Sequence, residues 1–123
     1  MNFATLPPEI NSGRMCAGPG PGSMTEAAAA WDTLAARLYA RLSDYRSVTS
    51  KLAQTWQDAA ATEMAEAAAP YTDWLDTTAT RAAHAATQAK TAASAFESAL
   101  AAVVPLKVIE ANRAQRISLA STN

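Results

Sequence analysis

The sequence predicts an all-α fold. It reads as an elongated antiparallel helical hairpin with a short N-terminal helix and a C-terminal helix, forming a four-helix bundle with a partner. Three observations predict this. Roughly a quarter of the 123 residues are alanine, the strongest helix former, far above ordinary usage. Two long stretches carry apolar residues at heptad spacing, the repeat that keeps one stripe of a helix against a neighbour. The glycines all fall within residues 1–22, with Pro7, Pro8, Pro19 and Pro21, so the rest of the chain holds few helix breakers.

In chain order, Leu6-Pro7-Pro8-Glu9 suits a helix start, with Thr5 as cap and proline in the first turn. A short helix over about 7–17 then stops at the corner Gly18-Pro19-Gly20-Pro21-Gly22. Ser23-Met24-Thr25-Glu26 is a capping box that opens a long helix over about 23–55. Its large apolar residues Trp31, Leu34, Leu38, Leu42, Tyr45, Val48 and Leu52 average one every 3.5 residues. The break at Thr55-Trp56-Gln57-Asp58 is short enough to make the next helix an antiparallel neighbour, with Asp58 or Thr55 as its cap. Trp56 sits at that end, where a flat ring closes the space between two helices.

The second long helix, about 58–103, is about 65 Å long at ~1.5 Å per residue. Its expected seam runs Met64, Ala68, Tyr71, Leu75, Thr78, Ala82, Ala85, Ala89, Ala92, Phe96, Ala99 and Val103, mostly alanine opposite the large residues of the first helix. Pro70 removes one backbone donor and is expected to bend the rod. Tyr39 and Trp74 fall outside the two seams and are candidates for the other face of the hairpin. Val103-Val104-Pro105 ends this helix, and a last one follows over about 105–120. The length allows one domain at most.

Composition excludes several functions. A net charge of −1 argues against nucleic acid or an anionic membrane as the main partner. No stretch of ~18 apolar residues lacks polar interruption, so no membrane span is expected, and the N-terminus carries no ordinary signal peptide. The single cysteine, Cys16, forms no internal disulfide and has no histidine near it in sequence. His84 is the only histidine and lacks a second ligand at metal spacing. The prolines of the Gly18–Gly22 run lack the amide donors a phosphate loop needs. The acids of the second long helix spread along one side rather than converge. No catalytic, metal or cofactor site is expected, and no cofactor. The residues point to recognition between helices, with Trp31, Leu34, Leu38, Leu42, Tyr45, Leu52, Tyr71, Leu75 and Phe96 as the candidate partner-binding set.

The chain resembles the mycobacterial PPE family. The resemblance rests on Pro7-Pro8-Glu9 and on Asn11-Ser12, Arg14-Met15, Ala17 and Gly18-Pro19-Gly20 after it. Trp31, Trp56, Ala69-Pro70-Tyr71, Trp74-Leu75 and Asn112-Arg113 follow in family order. It implies a PPE-type helical domain that pairs with a PE-family helical hairpin as a heterodimer. It also implies export of that pair, secreted or to the cell surface, by a type VII secretion system whose chaperone grips the tip of the PPE subunit, and a possible role in host interaction. Pro7, Pro8, Glu9 and Trp56 are the family-motif positions. Three features depart from the pattern: Trp56-Gln57-Asp58 where the family has Trp-x-Gly, Cys16 where it usually has an aromatic residue, and a chain that stops at Asn123, before the family's tip loop and returning helix. The expectation is therefore an intact PE interface with chaperone binding weak or absent. The alternative is a truncated member that stays in the cytosol and self-associates.

Overall fold

A computed structural model describes residues 3–56 and 59–122. All regular structure among them is helical: a 3-10 turn over Phe3–Thr5, then α1 Pro8–Cys16, α2 Gly22–Trp56, α3 Ala59–Ala102 and α4 Leu106–Ser121. Met1, Asn2, Gln57, Asp58 and Asn123 lie outside the described residues, and with them the expected Asp58 cap. The chain divides into two compact units, one of residues 23–92 and one of residues 1–22 with 93–123.

The unit of residues 23–92 is an antiparallel helical hairpin. As position rises along α2 from Asp32 to Tyr39 to Tyr45, its partner on α3 falls from Lys90 to Thr80 to Tyr71. The buried residues between the helices are Ala28, Ala35 and Leu42 on α2 and Ala61, Ala68, Leu75, Ala79, Ala82 and Ala86 on α3. Ala79 and Ala86 are completely enclosed. A methyl is the whole side chain at most of these positions, so the two backbones approach closely and gain dispersion contacts along their length.

This seam corrects the one read from the sequence. On α2 the buried stripe is Ala28-Ala35-Leu42, spaced by seven, with Leu38 and Tyr45 half-buried beside it; Trp31, Leu34, Val48 and Leu52 are exposed. On α3 the expected Ala68, Leu75 and Ala82 are buried, but Tyr71 is exposed, and Ala79 and Ala86 take the second stripe instead of Thr78 and Ala85. Only one of two alternatives can fill the gap between close-packed helices. Two facing rows of alanine fit there at native density, and a row of Trp and Leu would hold the backbones apart.

Several threonine hydroxyls of this unit bond back into their own helix. Thr33 donates to the Ala29 carbonyl at 2.9 Å, Thr49 to Tyr45 at 2.9 Å and Thr78 to Trp74 at 2.7 Å. They therefore place no unpaired donor against the seam. The 44-residue helix α3 runs through Pro70 without a break, and α2 begins at Gly22, one residue ahead of the Ser23 cap that the capping box suggested.

In the other unit, α1 begins with Pro7 as its N-cap residue in an extended conformation and no side-chain cap, where Thr5 was expected; Thr5 lies in the preceding 3-10 turn. The Ala17 amide closes the helix onto the Gly13 carbonyl at 2.9 Å. In the turn beyond, Gly20 adopts φ +73°, a conformation that costs a side-chain-bearing residue about 1 kcal/mol or more. Pro105 caps α4, and its carbonyl accepts from Val108 at 2.9 Å and Ile109 at 3.2 Å. No residue of α4 is buried, and Ile117 and Leu119 are well exposed. By length and composition one segment, Ala59–Ser121, holds an 18-residue window of mean hydropathy 1.5, apolar enough to cross a bilayer, which the sequence reading did not anticipate. That segment is interrupted between Ala102 and Leu106, and a helix break in lipid leaves backbone groups unpaired.

The seam makes a direct prediction. Ala79→Leu forces α2 and α3 apart and lowers the unfolding free energy by about 2 kcal/mol, the usual cost of overpacking. Ala36→Leu, at an exposed position of α2, stays within about 0.5 kcal/mol of the parent. Chemical unfolding followed by circular dichroism measures both, and equal effects at the two positions would refute the seam.

Candidate partner-binding surface

Closing the hairpin on alanine sorts the larger residues to its two flanks. Residues 34, 41 and 48 are seven apart on α2, as are 31, 38, 45 and 52, and the two rows lie side by side on one flank of the buried stripe. Tyr45 meets Tyr71 of α3 edge-on with ring centroids 4.8 Å apart, and Tyr71 stacks on Trp74 at 5.9 Å. Those contacts place Tyr71 and Trp74 on the same side as Leu34, Val48 and Leu52. Trp74 is 57% exposed and Trp31 43%.

The opposite flank is polar. Asp32 pairs with Lys90, and the Tyr39 hydroxyl lies 3.2 Å from Thr80 Oγ1. The ion pair is exposed on both sides and contributes little to stability; with the tyrosine bond it marks the register that the alanine seam sets. Tyr39 and Trp74, grouped by the sequence reading on one second face, are thus on opposite sides.

Of the residues expected to bind a partner, Trp31, Leu34, Leu52 and Tyr71 are exposed together on the apolar flank, and Leu38 and Tyr45 are half-buried at its inner edge. Leu42 and Leu75 are buried in the α2–α3 seam at one level of the hairpin and offer no surface. Phe96 is half-buried and belongs to the other unit. Sequence reasoning gave no role to Arg41 and Asp44. The signal for Arg41 was the row Leu34-Arg41-Val48, spaced by seven on α2, with Asp44 three residues beyond it; the row is visible only once the buried stripe is known. Trp56 is 53% exposed, so its ring is not enclosed within this chain. Cys16 is a free, exposed thiol. Among the described residues no three His, Cys, Asp or Glu side chains gather as a metal site.

The N-terminal motif does its work inside the other unit. Ser12, the buried polar residue of α1, donates its hydroxyl to the Val104 carbonyl at 2.8 Å. Val104 is in the break between α3 and α4, where a carbonyl has lost its helical partner. Arg113 of α4 brings its Nη2 to 2.8 Å from Glu9 Oε1. Asn11 donates to the Phe3 carbonyl at 2.9 Å, tying the first turn to α1. Glu9 Oε2 and Asn11 Oδ1 are enclosed without a hydrogen-bond partner among the described residues. Phe3, Pro8, Met15, Val103, Val104 and Ile109 line an apolar groove of about 650 Å³ beside these bonds.

The model of the PPE family matches residues 2–123. The PPE family protein PPE29 of Mycobacterium tuberculosis is 53% identical over 123 residues, covering 100% of this chain and 29% of its own length. PPE45 of Mycobacterium bovis is 51% identical over 124 residues, with 100% and 30% covered, and PPE61 of Mycobacterium tuberculosis is 49% identical with the same coverage. The chain thus spans less than a third of the length of these curated relatives.

The Ser12 and Arg113 contacts predict a local effect. Ser12→Ala leaves the Val104 carbonyl unpaired and costs about 1–2 kcal/mol; Arg113→Ala, more exposed, costs about 1 kcal/mol or less. Hydrogen exchange should accelerate in residues 8–16 and 106–121 and stay unchanged in residues 28–86. Uniform acceleration across both regions would contradict this.

Proposed function

The chain belongs to the PPE family, and on that premise we propose that it forms the PPE side of a PE/PPE heterodimer, exported as a folded pair by a type VII secretion system. The single observation that carries the reading is the apolar flank of the α2–α3 hairpin. Trp31, Leu34, Val48, Leu52, Tyr71 and Trp74 stay exposed after the hairpin has closed its own seam. A large aromatic side chain buries roughly 150–250 Å² when enclosed. Six half-exposed side chains therefore offer several hundred Å², and with their flanks they approach the roughly 800 Å² per partner of a stable interface.

A helical hairpin is the partner shape that fits. Two antiparallel helices laid along this flank complete a four-helix arrangement in which every backbone group stays paired within its own helix. The function is recognition, with no catalytic step in it. Trp56 fits the same reading as an exposed recognition residue: a ring half in water makes a small contribution to this chain's stability and is free to be read by another protein.

The test is co-expression with a panel of PE-family proteins. The expected result is a 1:1 complex with a sharp cooperative melt, where the chain alone aggregates or gives a broad one. Trp74→Glu and Leu34→Glu should each weaken the complex at least tenfold, because an unpaired charge is then buried in the interface. A monomer that melts sharply alone and ignores every PE protein would end this reading. For export, both subunits should vanish together from the culture filtrate when the system's ATPase is inactivated; secretion of one without the other would contradict a paired substrate.

A further inference from the structure

One part of the apolar flank is not simply apolar. Arg41, Asp44, Tyr45 and Val48 of α2 and Tyr71 of α3 line a notch of about 720 Å³ in the hairpin. Its walls are the edge-on Tyr45–Tyr71 pair and the Val48 side chain. Its rim is a base and an acid three residues apart on one helix. Among the described residues neither Arg41 nor Asp44 has an ion-pair or hydrogen-bond partner. On the opposite flank, by contrast, Asp32 and Lys90 neutralise each other across the hairpin.

Resting on the heterodimer reading, we infer that this notch selects the partner. It takes one bulky apolar or aromatic side chain from a partner helix, flanked within a turn by an acid that meets Arg41 and a base that meets Asp44. Three features argue for such an occupant. Two tyrosine rings already in contact give a rigid wall with little side-chain entropy left to lose. Tyrosine and arginine are the residue types that most often dominate interface energy. Charges of opposite sign at the rim of an apolar notch fix the register of the incoming helix and penalise partners with the charges reversed. The remainder of the flank, from Trp31 to Leu52, supplies area without that selectivity.

The experiment uses the full chain with the PE-family protein that co-purifies with it from the panel. Arg41→Glu and Asp44→Lys are measured singly and together, with Lys90→Glu on the opposite flank as control and Trp74→Glu as a probe of the flank itself. Both notch charges are exposed, so circular dichroism should show the fold unchanged. Each reversal should weaken binding by about tenfold, mostly at low salt. A charge-reversal scan of the partner should find one acid and one base whose inversion restores the double variant. Lys90→Glu should change affinity less than twofold. If the reversals change it less than twofold while Trp74→Glu abolishes binding, the flank is the interface but the notch does not select, and the inference falls alone. If binding survives Trp74→Glu as well, or no PE protein binds, both readings fall. A homodimer broken by the same reversals would put a second copy in the notch and overturn the inference equally.

Discussion

The close contact of α2 with α3 through alanine is the constraint on which the hairpin depends. Ala79 and Ala86 are fully enclosed, and Ala28, Ala35, Ala68 and Ala82 nearly so. Each methyl buries little area and contributes little at roughly 25 cal/mol per Å². The pairing is stable through the number of such contacts and through the helix propensity of alanine itself. Its further consequence is exclusion. A gap narrow enough for methyl groups has no room for indole or isobutyl side chains, apart from Leu42 and Leu75. The large residues are pushed to the flanks, and the exposed apolar surface there is a by-product of how the chain packs on itself.

The flanks are then divided by charge. On one, an acid and a base from different helices meet, and a tyrosine hydroxyl meets a threonine. On the other, tyrosine packs against tyrosine and tryptophan, and the Arg41 and Asp44 side chains have no partner among the described residues. The same helix pair thus has one side satisfied and one side unsatisfied. Exposed ion pairs add little stability, so the polar side reports the register that the alanine seam sets and adds little to it.

The second unit shows a different economy. With no residue of α4 buried, it is held by a few directional bonds: Ser12 to the Val104 carbonyl, Glu9 with Arg113, and Asn11 to the Phe3 carbonyl. Three of the residues that mark the family at its N-terminus, Glu9, Asn11 and Ser12, are the ones that make these bonds. Their role here is architectural. Ser12 pairs a carbonyl left over where α3 stops and α4 starts, a cost that an apolar side chain at that position would leave standing.

Helix content, the breaks near Gly18–Gly22, Trp56 and Pro105, and family membership were all legible in the sequence, because propensity, breakers and motifs act locally. The phase of each helix was not. In an alanine-rich helix several heptad stripes are apolar, so spacing alone does not say which one turns inward. Tyr71 and Ala79 belong to neighbouring stripes with nearly equal claims, and the larger residues drew the reading to the wrong one. Only the pairing of two backbones decides, since the stripe that lets them approach most closely gains the most contact and rotates every other residue to match. The expected partner-binding set is therefore divided by the fold. Trp31, Leu34, Leu52 and Tyr71 reach the surface, Leu42 and Leu75 are taken by the seam, and the charges beside Tyr45 acquire meaning only once that rotation is fixed.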